Sequence, residues 1–116
     1  MDAQLRESFE AELVVAKVAE ARGDVRVAWR SLERAHVLSQ AFAGPHLRVH
    51  LSMAAFAWRR WDVRELLGQL PRLLLAAPGS WLGRAPKGNT GGSDVGIFTP
   101  MEIPKDLQSL LDRPLT

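Results

Sequence analysis

The amino-acid sequence predicts an all-α protein, in which a four-helix array of two hairpins is followed by a tail and a short terminal helix. Apolar residues recur at steps of three and four through most of residues 3–76, which is the period of an amphipathic helix. Glycine, proline and aspartate interrupt this pattern where helices would end or begin. In addition, Gly-Asp-Val-Arg at 23–26 aligns with Trp-Asp-Val-Arg at 61–64, which indicates two related hairpins.

The first hairpin is divided by Gly23 and Asp24. Its first helix is predicted from Ala3 to Arg22, with an apolar stripe of Leu5, Phe9, Leu13, Ala16 and either Val18 or Ala19. Gly23 supplies a C-terminal stop, and the Asp24 side chain can cap the next helix. That helix is predicted from Val25 to Phe42, and its inward positions are Ala28, Leu32, Ala35 and either Leu38 or Ser39.

The second hairpin follows Gly44 and Pro45, which break the helical pattern. Helix three is predicted to open on Pro45 and to carry one stripe of His46, His50, Met53, Ala54, Ala57 and Trp61. Helix four is predicted to begin at Asp62, with an apolar face of Leu66, Leu67, Leu70, Leu73 and Leu74. Pro71 lies inside this pattern, so we expect it to kink or divide the helix.

The turn of the first hairpin resembles a tetratricopeptide repeat. The matching segment, AEARGDVRVAWRSLERA, has the small and apolar residues of such repeats at Ala21, Gly23, Asp24, Ala28, Leu32 and Ala35. Repeats of about 34 residues are the signature of these helical pairs. The resemblance implies two tetratricopeptide-like hairpins, a fold typical of protein-interaction modules.

Residues 77–103 are predicted to form a tail, because glycine and proline recur every few residues and the helical period is lost. The tail is too apolar for a disordered linker, so we expect it to pack across the helices through Trp81, Leu82, Val95, Ile97, Phe98, Met101 and Ile103. A terminal helix is predicted over 104–112, where Leu107, Leu110 and Leu111 are expected to be buried. The whole chain, 1–116, is interpreted as a single domain.

The composition narrows the function classes. The formal charge is +2, from 15 basic and 13 acidic residues, and the basic residues are scattered, so no nucleic-acid partner is expected. No apolar stretch approaches the ~20 residues that span a bilayer, and the start of the chain is too acidic for a signal peptide, so we expect a cytoplasmic protein without a membrane partner. The chain contains no cysteine, which excludes disulfides and thiolate chemistry.

All three histidines lie within fifteen residues, at His36, His46 and His50. Two histidines at i and i+4 project from one face of a helix, and imidazole is the commonest metal ligand in proteins. We therefore predict a metal site. Zinc or iron is favoured, and copper and nickel also suit imidazole, whereas magnesium and calcium require all-oxygen ligands.

Two carboxylates are candidate ligands beside the histidines. Glu33 precedes His36 by three residues, which repeats the ligand spacing on the second helix. Glu12 falls on the apolar stripe of the first helix, where a buried carboxylate needs either a cationic partner or a metal. Glu33 has an alternative in the neighbouring arginines. Such a site would serve a metalloenzyme or a metal-homeostasis protein.

The alternative hypothesis is a tetratricopeptide-like interaction module in which the histidines are structural. A histidine on an apolar face commonly bonds to backbone carbonyls and has no ligand role. Trp29 and Trp58 are predicted to pack between helices, while Trp61 and Trp81 are candidates for a contact with a protein partner or with a second copy in a homo-oligomer.

The glycine-rich segment at Gly88–Gly92 lacks the spacing of a phosphate-binding loop, so we expect it to turn sharply and lie close over the helices. Over the histidines, it would act as a lid. Together with Glu33-Arg34-Ala35-His36 and Gly44-Pro45-His46-x-Arg48-Val49-His50, this segment resembles a small bacterial family catalogued as a domain of unknown function, DUF3703. The resemblance runs from about Phe9 to Leu111. It implies that the histidines and the glycine-rich tail belong together, and it implies no activity.

Overall fold

A computed structural model of the chain describes residues 1–81, 87–93, 95–96 and 99–113, and gives the backbone alone for 76–81. It contains five helices: α1 (Ala3–Ala21), α2 (Val25–Ser39), α3 (Ala43–Arg59), α4 (Val63–Trp81) and α5 (Lys105–Leu111). Within these described residues there is no strand. The all-α prediction is confirmed.

The first four helices form two hairpins that pack side by side. Helix α1 packs on α2, α3 packs on α4, and α2 joins the hairpins by packing on α3. The main core lies among α1, α2 and α3, and it contains Phe9, Leu13, Ala16, Ala19, Ala28, Leu32, Ala35, Val49, Met53 and Phe56. A second cluster forms where α5 packs against the C-terminal end of α2, around Leu38 and Leu107.

The turns of the two hairpins are built alike. Gly23 and Trp61 both have positive φ, at 78° and 57°. The next residue in each turn, Asp24 or Asp62, bonds through its backbone N–H to the carbonyl five residues earlier, at 2.8 and 2.9 Å. Its side chain then accepts the N–H three residues later, at 3.2 and 3.0 Å, and so caps the following helix. Both predicted aspartate caps are confirmed, and the tetratricopeptide-like character of the hairpins stays a prediction.

Three helix boundaries differ from the predictions. Helix α2 ends at Ser39 instead of Phe42, because Phe42 is extended and stands at the N-cap position of α3. Helix α3 therefore begins at Ala43, and Pro45 falls in its first turn, where a missing N–H costs no hydrogen bond. Helix α4 continues through Pro71 to Trp81. The Pro71 ring is exposed to solvent, so the helix keeps its packing on α3 despite one lost bond.

The predicted inward positions of α1 and α2 are confirmed, but three of the five predicted for α4 are wrong. Leu67, Leu70 and Leu74 are 59%, 51% and 78% exposed, whereas Gln69 and Arg72 on the same helix are buried. A buried polar face needs hydrogen-bonding partners. The tail supplies these partners through backbone groups of Gly91, Ser93 and Val95.

The tail and the tryptophans agree only in part with their predicted positions. Ile103 packs against the second cluster, as predicted, and Trp29 contacts Phe56 with ring centroids 5.7 Å apart. Trp58 is 72% exposed, so its predicted position between helices is wrong. The predicted contacts of the Trp81 side chain and of Leu82, Ile97 and Phe98 lie outside the described part of the chain. None of the helices in the described part of the chain has the length and apolar character needed to cross a membrane.

Candidate metal centre

Three histidines converge at the junction between the hairpins. His36 lies in the last turn of α2, and His46 and His50 lie one turn apart near the start of α3. Only residues 40–42 separate the two helices, so the end of α2 stays close to the beginning of α3. The three residues are 2%, 6% and 2% exposed. The predicted histidine cluster is confirmed.

The three imidazoles direct their Nε2 atoms toward one another. The Nε2 atom of His36 lies 3.0 Å from that of His46 and 3.1 Å from that of His50, and the third pair is 3.1 Å apart. The ring planes are inclined to one another by 68°, 73° and 47°, so the rings do not stack. The three Nε2 atoms therefore surround one point.

The tautomer of His36 is fixed from outside the cluster. Its Nδ1 atom lies 2.6 Å from the backbone carbonyl oxygen of Asn89, which can only accept a hydrogen bond. Nδ1 therefore carries the proton. In the neutral ring, Nε2 then presents its lone pair to the other two histidines.

Gln69 fixes the tautomer of His50, which also carries its proton on Nδ1. The amide nitrogen of Gln69 donates to the Glu65 carboxylate at 2.7 Å and to the Gly91 carbonyl at 2.9 Å. Its Oε1 atom therefore faces His50 and accepts the Nδ1 proton at 2.7 Å. The Nε2 atom of His50 also presents a lone pair.

These assignments leave two lone pairs facing each other in a buried site. His36 and His50 have Nε2 atoms 3.1 Å apart with no proton between them. A proton on His46 can satisfy one of these acceptors well, but the two acceptors repel each other in surroundings of low dielectric constant. A cation placed between the three nitrogens removes this repulsion.

Protonation of the cluster is opposed by its surroundings. Burial lowers the pKa of His36 well below its usual value, and the neighbouring histidines act in the same direction. Burial also lowers the pKa of His50 from 6.5 to about 4, although its bond to Gln69 opposes the change. Near neutral pH the imidazoles of His36 and His50 are therefore uncharged, which is the state that binds metals.

Residues 87–93, which we call the strap, cover one side of the cluster. Gly91 has φ +85° and lies against the His36 ring, so that a Cβ atom added to it would stand 2.5 Å from Cδ2 and 2.8 Å from Nε2. Asn89 shapes the strap by accepting the Gly91 N–H at 2.8 Å and donating to the carbonyls of Gly96 and Thr99. The predicted close approach of the glycine-rich segment to the helices is confirmed, and the segment lies over the histidines.

The buried polar face of α4 holds the strap in place. The Glu65 carboxylate accepts the Ser93 N–H at 3.1 and 3.0 Å, and Arg72 donates to the carbonyl of Val95 just beyond the strap. Gly68 leaves room for this approach, because a Cβ atom added there would lie 2.2 Å from the Ser93 Cβ. Helix α4 therefore binds the backbone of the strap instead of an apolar surface.

The chain matches a known protein family over most of its length. The model of a family described as a protein of unknown function, DUF3703, matches residues 3–111, a range that includes all five helices, the histidine cluster and the strap. The chain belongs to this family. No curated protein and no solved structure matches it significantly.

The two carboxylates predicted as ligands of this DUF3703 protein lie outside the cluster. Among the described residues, the group whose ligand atoms all lie within 4.8 Å of one another consists of the three histidines. Glu12 accepts a hydrogen bond from Arg34 Nε at 2.7 Å, which is the cationic partner that its burial requires. Asp106 also pairs with Arg34, and the two carboxylates raise the pKa of that guanidinium. Glu33 lines a surface cavity of about 590 Å³ beside Trp29.

Sequence reasoning missed the residues that orient the histidines. Gln69 and Asn89 are 0% and 2% exposed, and each fixes one histidine tautomer. The signal for Gln69 was a polar stripe on a leucine-rich helix, since Glu65, Gln69 and Arg72 recur at steps of four and three. The role of Asn89 had no comparable signal, because it acts through a backbone carbonyl that every residue possesses.

Proposed function

We propose that this DUF3703 protein binds one transition-metal ion through the Nε2 atoms of His36, His46 and His50. The observation that supports it best is the convergence of the three Nε2 atoms at 3.0 to 3.1 Å. Imidazole nitrogens bound to one tetrahedral zinc ion at about 2.05 Å stand about 3.3 Å apart. A shift of a few tenths of an ångström therefore adapts the cluster to the ion.

The chemistry of the donors favours zinc or iron. Three neutral imidazoles suit zinc, iron, copper and nickel, whereas calcium and magnesium prefer oxygen ligands. The chain has no cysteine to provide thiolate ligands. The carbonyl of Asn89 and the amide oxygen of Gln69 accept the Nδ1 protons, as the outer partners of metal-bound histidines commonly do.

Three protein ligands leave a coordination position for water or a small molecule. Catalytic zinc sites share this property, whereas structural sites are filled by four protein ligands. The proposal therefore includes a metalloenzyme or a metal-homeostasis protein. Cobalt(II) substitution separates an open site from a closed one, because added azide changes the visible spectrum only when it reaches the ion.

The test is metal stoichiometry in protein prepared without a histidine tag. All three histidines of the chain belong to the cluster, so any imidazole-bound metal reports on this site. We expect about one equivalent of zinc after chelation and reloading, and we expect the His46→Ala, His50→Ala double variant to lose it. Stoichiometric zinc in a folded double variant, or none in the native protein, contradicts the proposal.

Two matched variants test the carboxylates that the sequence predicted as ligands and that lie outside the cluster. Glu12→Gln removes the charge that pairs with Arg34, and Glu33→Gln changes the carboxylate three residues before His36. A ligand role predicts at least a tenfold loss of zinc affinity for the variant concerned. Unchanged affinity in both limits the protein ligands to the histidines.

A second candidate function is a protein-interaction module, which the exposure of Trp58 and Trp61 favours. They are 72% and 89% exposed, and large aromatic side chains often anchor protein interfaces. The Trp58→Gln, Trp61→Gln double variant is expected to lose a specific partner while keeping its zinc stoichiometry. Identical partner capture by both proteins contradicts this function.

A further inference from the structure

The strap contacts two of the three proposed ligands from outside. The Asn89 carbonyl accepts the His36 Nδ1 proton at 2.6 Å, and the Gly91 carbonyl holds the Gln69 amide at 2.9 Å. Gln69 in turn orients His50. When the strap is docked, it therefore directs two lone pairs toward the proposed metal position.

The strap is held by polar contacts that are individually weak. Its sequence, Lys-Gly-Asn-Thr-Gly-Gly-Ser, contains no large apolar side chain, so the hydrophobic effect adds little to docking. The Ser93 N–H bonds to the Glu65 carboxylate, and such a bond adds only modest net stability because it replaces a bond to water. A comparable interaction at the cluster is enough to shift the docking equilibrium.

The metal supplies such an interaction because it replaces repulsion between the Nε2 lone pairs with attraction to the ion. Without an ion, docking holds the Nε2 lone pairs of His36 and His50 at 3.1 Å from each other. With an ion, the same orientation gives two coordinate bonds. The docked strap is therefore disfavoured in the metal-free protein and favoured in the loaded one.

We propose that the strap is a metal-responsive cover, which docks on α4 when the three histidines hold an ion and is released when they do not. This inference rests on the metal site proposed above. The histidines are buried under the docked strap, so release also opens a route for the ion. By thermodynamic linkage, the factor by which metal favours docking equals the factor by which docking raises metal affinity.

Hydrogen exchange measures docking directly. The Ser93 N–H bonds to Glu65 on α4, so this amide loses its bond when the strap is released. In tag-free protein, one equivalent of zinc is expected to slow exchange at Ser93 about 10-fold to 100-fold relative to chelated protein. Zinc bound at one equivalent with unchanged exchange overturns the cover while leaving the metal site intact. No zinc binding at all overturns both.

A pair of glycine variants provides the second test. Gly68→Ala places a Cβ atom 2.2 Å from that of Ser93 and displaces the strap, while alanine favours the helix more than glycine does. Gly44→Ala, in α3, meets nothing within 4 Å and serves as the control. Gly68→Ala is expected to lose zinc affinity by the same 10-fold to 100-fold factor, with its exchange insensitive to zinc. Native affinity in Gly68→Ala overturns the proposal.

Discussion

The contact between Gly91 and the His36 ring makes a sharp prediction about Gly91→Ala. An added Cβ atom would stand 2.5 Å from Cδ2 and 2.8 Å from Nε2 of His36, whereas carbon atoms in contact lie about 3.5 to 4.0 Å apart. Either the ring or the strap must therefore move by about 1 Å. Displacing a group that orients a metal ligand commonly costs about 10-fold to 100-fold in affinity, and we expect that loss for zinc.

Gly23→Ala is a matched control, because it introduces the same kind of backbone strain without a contact with His36. Both glycines have positive φ, at 78° and 85°, but a Cβ atom on Gly23 would meet nothing within 4 Å. Both variants therefore carry the cost of about 1 to 2 kcal/mol for a side chain in the left-handed region. Only Gly91→Ala adds the clash with His36.

Zinc affinity should be measured by competition with a chromophoric chelator, and the free energy of unfolding by urea titration of both variants. Gly23→Ala is expected to lose stability while keeping its zinc affinity. Equal zinc affinities for Gly23→Ala and Gly91→Ala would refute the reasoning, because the strap would then have no influence on the ligand that it covers.

Three other predictions concern stability. Trp61 has φ 57° and is 89% exposed, so Trp61→Gly should raise the free energy of unfolding by about 1 kcal/mol in urea titrations; a loss of stability would show that the indole makes a stabilising contact. The buried Thr90 hydroxyl has no hydrogen-bond partner, so Thr90→Val should raise the midpoint of thermal unfolding, by about 1 kcal/mol in free energy; a lower midpoint would mean that the hydroxyl is used. In metal-free protein with the strap docked, burial lowers the pKa of His50 from 6.5 to about 4, so the unfolded chain binds more protons between these values. The docked form should therefore lose about 3 kcal/mol of stability from His50 alone as pH decreases from 6.5 to 4, and release of the strap reduces this loss; urea titrations in which stability rises toward pH 4 would contradict the assignment.

The helical body was predictable because its signals are local. The stripe through Phe9 and Leu13 and the caps at Asp24 and Asp62 depend on periodicity and on residues only three positions away. The histidine cluster was also accessible, since His46 and His50 share a helix face and His36 is separated from them by one short connection. Each of these features is specified within a few turns of helix.

The outer part of the site was not predictable by the same means. Leucines on α4 were assigned to the core because the period of Leu67, Leu70 and Leu74 is helical, and periodicity does not reveal which face of a helix finds a partner. Here the partner is a segment more than twenty residues further along the chain, and it binds through its backbone. Gln69 was buried for that reason, which no local pattern records.

The position of the strap has a consequence for the order in which the molecule is made. The three histidines all occur by residue 50, whereas the strap begins at residue 87. During synthesis the N-terminal part of a chain leaves the ribosome first. The imidazoles therefore leave the ribosome before the segment that covers them, so the proposed site can take up its ion during synthesis and be enclosed when residues 87–93 follow.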